Sequence, residues 1–152
     1  MSVKEIRFYE PDEPYGFLSN FYLAPIEVDG ERWLTTEHFY HAQKFTDRQL
    51  QRQMQAVKTP CEAFKLSREL EQFVRDDWME VRYDIMHFAV MEKFLQNQNL
   101  CQLLVETAPA TLIENSPCDS YWGIGERKDG ANKLGIILMS VRAQFSVIYR
   151  HD

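Results

Sequence analysis

The sequence predicts a helix-rich α+β domain with a small N-terminal β-hairpin or sheet region and a long amphipathic C-terminal helix. Three observations predict it. Short extended segments are confined to the first third, around an Asp29-Gly30 turn signal. From Thr36 onward apolar residues recur at helical spacing behind capping residues. Leu134, Leu138, Val141, Phe145 and Ile148 hold that spacing to the end of the chain.

Ile6 to Tyr9 predicts a short strand, ended by the turn-rich Pro11-Asp12-Glu13-Pro14-Tyr15-Gly16. Ile26-Glu27-Val28 and Glu31-Arg32-Trp33 flank Asp29-Gly30, which predicts a tight hairpin. Thr59-Pro60-Cys61-Glu62 joins a capping box to a proline at the first helical position. Asp77-Trp78-Met79-Glu80 repeats the cap-to-glutamate spacing. Val81, Ile85, Phe88, Ala89 and Leu95 then predict the buried face of the helix that follows. Asn97 is expected to separate it from a helix carrying Leu100, Leu103 and Leu104, and Thr111-Leu112-Ile113 predicts another strand.

The chain has 152 residues, 45% hydrophobic and 26% charged, the size and composition of one domain, so 1–152 is read as a single unit. Its 17 basic and 23 acidic residues give a net charge of −6. Nonspecific duplex binding rests on many Lys/Arg–phosphate contacts, so bulk nucleic-acid binding is not expected. No apolar run approaches the ~18 residues of a membrane span. The start, Met1 to Arg7, is charged and predicts no secretion signal. Cys61, Cys101 and Cys118 are odd in number and far apart, as reduced thiols are, and the expected location is the cytoplasm.

The stretch Thr35-Thr36-Glu37-His38-Phe39-Tyr40-His41-Ala42-Gln43-Lys44-Phe45 carries the most chemistry. On a helix, Glu37 and Lys44 differ by about 20° in azimuth and about 10 Å along the axis. His41 falls between them and Tyr40 borders them, while Phe39, Ala42 and Phe45 turn towards a core. A carboxylate and an amine on one face suit a small substrate; a solvated polar face is the alternative. His38 and His41 lie about 60° apart, without the H-E-x-x-H spacing of zinc enzymes, so no metal is expected.

Asp119-Ser120-Tyr121-Trp122-Gly123-Ile124-Gly125 leads through Gly130 and Asn132 to Gly135. Glycines ahead of a helix permit close backbone approach to a ligand, and a helix N-terminus suits phosphate. The pattern is neither a Walker A loop nor a Rossmann turn, and a plain surface turn is the alternative. Trp78 and Trp122 offer flat surfaces for a planar base, or else fill the core. Gly16-Phe17-Leu18-Ser19-Asn20-Phe21 sets a polar turn between aromatics.

These segments, in this order, resemble the NADAR family. The resemblance runs through Phe8-Tyr9, Tyr15-Gly16, Ser19-Asn20-Phe21, Val28-Asp29-Gly30, Thr36-Glu37-His38, Ala42-Gln43-Lys44-Phe45, Trp78 and Lys93-Phe94. It continues through Thr107-Ala108-Pro109-Ala110, Asp119, Tyr121-Trp122-Gly123, Gly125, Gly130, Asn132, Leu134-Gly135, Leu138-Met139 and Arg142. His41 is not a fixture of the family, and Ile124 stands where members often carry an acidic residue.

The resemblance implies an N-glycosidase acting on ribose joined to an exocyclic amine, without a cofactor. Two substrate classes go with the family: ADP-ribose on guanine in DNA or nucleotides, and phosphorylated ribosylamino-pyrimidine intermediates of riboflavin synthesis. The family's catalytic positions fall on Glu37, Lys44, Trp78 and Asp119, with Trp122 and the glycine loop nearby. Glu37, Lys44 and Asp119 are expected to do the chemistry. Ser19, Asn20, Phe21, His38, Trp78, Trp122, Gly123, Gly125 and Asn132 are expected to hold the substrate. An amine that attacks a ring-opened imine accounts for the lysine, and proton transfer accounts for the carboxylates. Direct displacement by water between paired carboxylates is the competing route. A nucleotide or ADP-ribose binding module without turnover is the reading from another class.

Overall fold

A computed structural model describes residues 4–149; Met1 to Val3, part of the N-terminal stretch considered above, lie outside them. The strands are β1 (Glu5–Phe8), β2 (Ile26–Val28), β3 (Glu31–Trp33) and β4 (Thr111–Glu114). The helices are α1 (Thr36–Ala42), α2 (Arg48–Ala56), α3 (Pro60–Glu69), α4 (Trp78–Gln96), α5 (Gln98–Glu106) and α6 (Lys133–Tyr149). The predicted helix-rich α+β class holds, and the chain divides into two compact units, 23–93 and the combination of 1–22 with 94–152.

The 23–93 unit begins with the hairpin. β2 and β3 pair antiparallel with Ile26 opposite Trp33 and Val28 opposite Glu31. Asp29 and Gly30 sit at φ 52° and 81°, the positive values that a two-residue hairpin turn demands. A Cβ on Gly30 would meet nothing within 4 Å, so conformation alone selects glycine there. Ile26 and Trp33 then pack with Phe39, Ala42, Phe45, Met54, Ala63 and Ala89 into one apolar cluster. Trp33 meets Phe39 edge-on at 5.8 Å. Phe39, Ala42 and Phe45 therefore face the core as expected.

Helix α3 starts where the sequence placed it. Thr59 Oγ1 accepts from Glu62 N–H at 3.1 Å, and Glu62 Oε2 reaches back to Lys58 N–H at 2.9 Å. The reciprocal bond thus falls one residue before the cap rather than on it. At the start of α4 the Asp77 carboxylate closes on Arg75, at 2.6 and 2.9 Å. The buried face of α4 is the expected one only in part: Ala89 is buried and Ile85 packs on the apolar cluster, but two positions depart from it. Phe88 and Leu95 are 44% and 56% exposed, whereas Met86, Ala89, Val90, Lys93 and Phe94 are buried. The helix is apolar on most sides, so tertiary neighbours choose its face.

In the other unit β1 pairs in parallel with β4, Ile6 opposite Leu112 and Phe8 opposite Glu114, and the two come from opposite ends of the chain. Asn97 separates α4 from α5, as predicted, and α5 buries Cys101 and Leu104 while Leu103 is exposed. Helix α6 lies against β4 and α5, burying Leu134, Ile137, Leu138, Val141 and Phe145. Ile148, expected on that face, is exposed because it lies beyond the last covered turn. Buried Arg142 crosses from α6 to the α5–β4 loop, donating to Thr107 Oγ1 at 3.1 Å and Ala110 O at 2.7 Å. Arg142 and the Thr107–Ala110 segment are thus partners in the scaffold. No helix among the described residues is long and apolar enough to cross a membrane.

Candidate active site

All seven residues of α1 are buried, which removes the solvated polar face as a reading of this stretch. Thr35 caps the helix, its Oγ1 accepting from His38 N–H at 3.1 Å. Glu37 lies in the first turn, where a carboxylate complements the helix dipole. The helix ends at Ala42, and Lys44 follows in a tighter turn, with its N–H bonded to His41 O at 3.2 Å. The straight-helix azimuth between Glu37 and Lys44 therefore does not extend to Lys44. The two charges still sense each other: burial, the largest influence, lowers the Lys44 pKa, Glu37 raises it, Arg68 lowers it and Glu71 raises it.

Aromatic rings surround the amine. Lys44 Nζ stands 5.8 Å from the centre of Tyr40 and 5.9 Å from that of Trp78. Tyr40 and Trp78 meet at 5.0 Å, and Trp78 is only 7% exposed. Trp78 therefore packs on the core and presents a face to Lys44 at once. His41 Nε2 lies 2.6 Å from Glu37 Oε1, so the histidine is the direct partner of the carboxylate. Sequence reading placed His41 only between the other two residues, although its four-residue spacing from Glu37 carried the signal.

His38, expected to hold substrate, is bonded into the scaffold at both ring nitrogens. Its ring is wholly buried, with Nδ1 2.8 Å from Thr35 Oγ1 and Nε2 3.0 Å from Val57 O. A carbonyl only accepts, so Nε2 carries the proton and Nδ1 accepts from the threonine hydroxyl. Burial lowers the pKa and keeps this neutral form. Both nitrogens are engaged, and His38 ties the start of α1 to the α2–α3 connection.

In the other unit Asp119 Oδ1 accepts from Tyr121 N–H and Trp122 N–H at 2.9 and 2.8 Å, organising the loop. Its Oδ2 takes no part in those bonds. Trp122 is 9% exposed and meets Tyr121 edge-on at 4.7 Å. Ser19 Oγ accepts from Phe21 N–H at 3.1 Å; Ser19 and Asn20 are buried and Phe21 is half-buried.

The glycines of the loop also serve its packing. A Cβ on Gly123 would lie 2.7 Å from Glu114 O, and one on Gly130 2.7 Å from Gly123 O. Gly125 has φ 72° and packs on Ser120. The space beside these residues is taken by β4 and by the loop's own atoms. The start of α6 is likewise occupied: Lys133 N–H bonds to Tyr121 O and Leu134 N–H to Trp122 O, at 2.9 and 3.0 Å. Those amides offer no phosphate cradle.

Asn132, also expected to hold substrate, clamps β4 instead. Its Oδ1 accepts from Glu114 N–H at 2.9 Å and its Nδ2 donates to Leu112 O at 3.0 Å. A Cβ on Gly135 would fall 2.4 Å from that amide, so the glycine makes room for the clamp. Of the expected residues, Glu37, His38, Lys44 and Trp78 share the 23–93 unit. Ser19, Asn20, Phe21, Asp119, Trp122, Gly123, Gly125 and Asn132 belong to the other. Among the described residues no three His, Cys, Asp or Glu side chains form a metal-ligating group.

The chain belongs to the NADAR family, whose domain model matches residues 7–146. N-glycosidase YbiA of Escherichia coli is 39% identical over 142 residues, covering 93% of this chain and 89% of that protein. An N-glycosidase of Nostoc punctiforme is 42% identical, with 91% of each chain covered. A riboflavin biosynthesis protein of Vibrio vulnificus is 48% identical over 139 residues; they are 91% of this chain, which spans only 38% of that protein. The NMR structure of E. coli YbiA shares the fold, with a TM-score of 0.90 and 38% identity over 100% of this chain and 90% of that one.

Proposed function

We propose that this protein is an N-glycosidase that hydrolyses the bond between a ribose and an exocyclic amine. One observation carries the reading: Lys44, with its pKa lowered by burial, lies within the influence of buried Glu37. Binding a nucleotide calls for a charged lysine, whereas burial favours the neutral amine of Lys44, the form that can act as a nucleophile. The N-glycosidase names of the E. coli and Nostoc relatives support it.

The substrate carries a sugar carbon bonded to both the ring oxygen and the exocyclic nitrogen. Transfer of the exocyclic N–H proton to the ring oxygen opens the sugar and leaves a carbon–nitrogen double bond. Neutral Lys44 adds to that carbon, and the Glu37 carboxylate takes protons from the attacking nitrogen and passes them to the exocyclic nitrogen, which departs as the free amine and leaves the lysine imine. Water, deprotonated by Glu37, then adds to the lysine imine; the amine of Lys44 is released and the aldehyde closes to the free sugar. One water is consumed, and no oxidant is required. Trp78, which presents its ring to Lys44 within the same unit, is proposed to hold the base or sugar.

Between the two substrate classes, the riboflavin biosynthesis name of the Vibrio relative favours a phosphorylated ribosylamino-pyrimidine over guanine-linked ADP-ribose. The deciding experiment incubates the protein with each substrate in turn and follows release of the free sugar. Faster release from the pyrimidine is expected. Binding of either compound without release would leave a binding module instead.

A further inference from the structure

We propose that His41 is a positioning residue: by holding Glu37 at Oε1 it keeps that carboxylate from closing an ion pair on Lys44. The inference rests on the reading of Glu37 and Lys44 as the reacting pair. Both members of the Glu37–His41 contact are buried, and their 2.6 Å separation is that of a charge-assisted hydrogen bond. Lys44 is close enough to feel the Glu37 charge, yet the two make no ion pair among the described residues. Their attraction is thus present but restrained.

His41 Nδ1 shows how the restraint works. It is buried with no hydrogen-bond partner, and the ring stands edge-on to Tyr40 at 5.2 Å and to Phe64 at 5.9 Å. If Nε2–H donates to an ionised Glu37, Nδ1 is an unpaired acceptor. If the ring is charged, or receives a proton from Glu37, Nδ1–H is an unpaired donor. Buried donors are left orphaned less often than acceptors, so the contact is best described as Nε2–H donating to Glu37 Oε1 with Nδ1 as the acceptor left over. Nδ1 then has no group to which it can pass a proton. His41 holds the carboxylate and does not relay protons.

The charged groups acting on Lys44 are Glu37 from α1, Arg68 from α3 and Glu71 from the 3-10 turn at Glu71–Phe73. Glu37, His41 and Glu62 are the charged or titratable groups that act on the His38 ring. Of these, Glu37 alone shares its side chain with His41. Releasing it would free a carboxylate that already acts on the amine to approach it, and an opposite charge within ~4–6 Å raises a lysine pKa by about 1–3 units.

The test compares wild type, His41→Leu and His41→Gln, each checked for folding by thermal melting. Lysine side-chain NMR on selectively labelled protein follows the Lys44 titration without any substrate. His41→Leu keeps bulk and removes the donor, so Lys44 should titrate at least about one unit higher, with ~10-fold less neutral amine at a fixed pH. His41→Gln supplies a donor at the same spacing and should return the titration most of the way to wild type. An unchanged titration in His41→Leu overturns the proposal. A shift in His41→Gln as large as in His41→Leu also overturns it, because the imidazole itself would then be needed. The sugar-release assay, run in parallel on wild type, judges the function separately: its failure leaves the NMR result standing.

Discussion

Lys44 Nζ stands 5.9 Å from the centre of the Trp78 ring, so the candidate nucleophile is packed on the face of an aromatic core residue. The ring quadrupole favours the ammonium, while burial favours the neutral amine. Burial is the largest influence, and the net shift is downwards. Lys44 is therefore a better amine near neutral pH than an exposed lysine.

That state predicts a trappable adduct. Borohydride added during turnover should reduce the lysine imine and leave one sugar-containing mass on the peptide that holds Lys44. Trapping should increase with pH as the amine deprotonates, and level off below the ordinary lysine range. Lys44→Arg should lose both trapping and turnover, because guanidinium stays protonated. Full turnover in Lys44→Arg would leave direct attack by water as the mechanism.

For Glu37 the expected effect is kinetic. Glu37→Gln keeps the shape and can still meet His41, but it removes the titrating oxygen. Turnover should fall by ~10²–10⁴-fold, the usual worth of general acid–base catalysis. A variant with an unchanged melting temperature and near-normal rate would move the acid–base role elsewhere.

Asn132 tests the division between scaffold and site. Asn132→Ala leaves Glu114 N–H and Leu112 O without their side-chain partners, a loss of roughly 1–3 kcal/mol. At about 2–4 °C per kcal/mol for a chain of this size, melting should drop by several degrees. Affinity measured on the folded fraction should hold. Weakened affinity at full stability would return Asn132 to the substrate.

What was legible in the sequence followed the range of the interactions involved. The Asp29-Gly30 hairpin, the Thr59-Pro60 helix start and the Asn97 break hold because a few neighbouring residues decide them. On α4 the expected face holds at Ile85 and Ala89 but not at Phe88 and Leu95, since a helix with apolar residues on most sides is oriented by its neighbours. In the site, the Glu37–His41 bond lay open in a four-residue spacing. The roles of His38 and Asn132 did not. Their partners, Val57 and the β4 backbone, are 18 to 20 residues away in sequence, and a polar residue engaged that way reads like one awaiting a ligand.

Lys93 carries the last prediction, one that no local pattern foretold. Its side chain is 1% exposed on α4, and burial pushes its pKa down to about 7. In the unfolded chain the same group titrates near ~10.4. Between those values the unfolded chain binds a proton that the folded one does not, so this group makes stability rise with pH across the window. Below about 7 both states are protonated and the folded protein holds a buried ammonium, which burial disfavours. Denaturant unfolding at pH 6 and pH 9 should therefore show wild type gaining stability at the higher pH, by on the order of a few kcal/mol from this group. Lys93→Met keeps the apolar length and removes the titration. Its gain over the same interval should be smaller than that of wild type. Parallel pH profiles for the two proteins would mean that Lys93 keeps an ordinary pKa inside the fold.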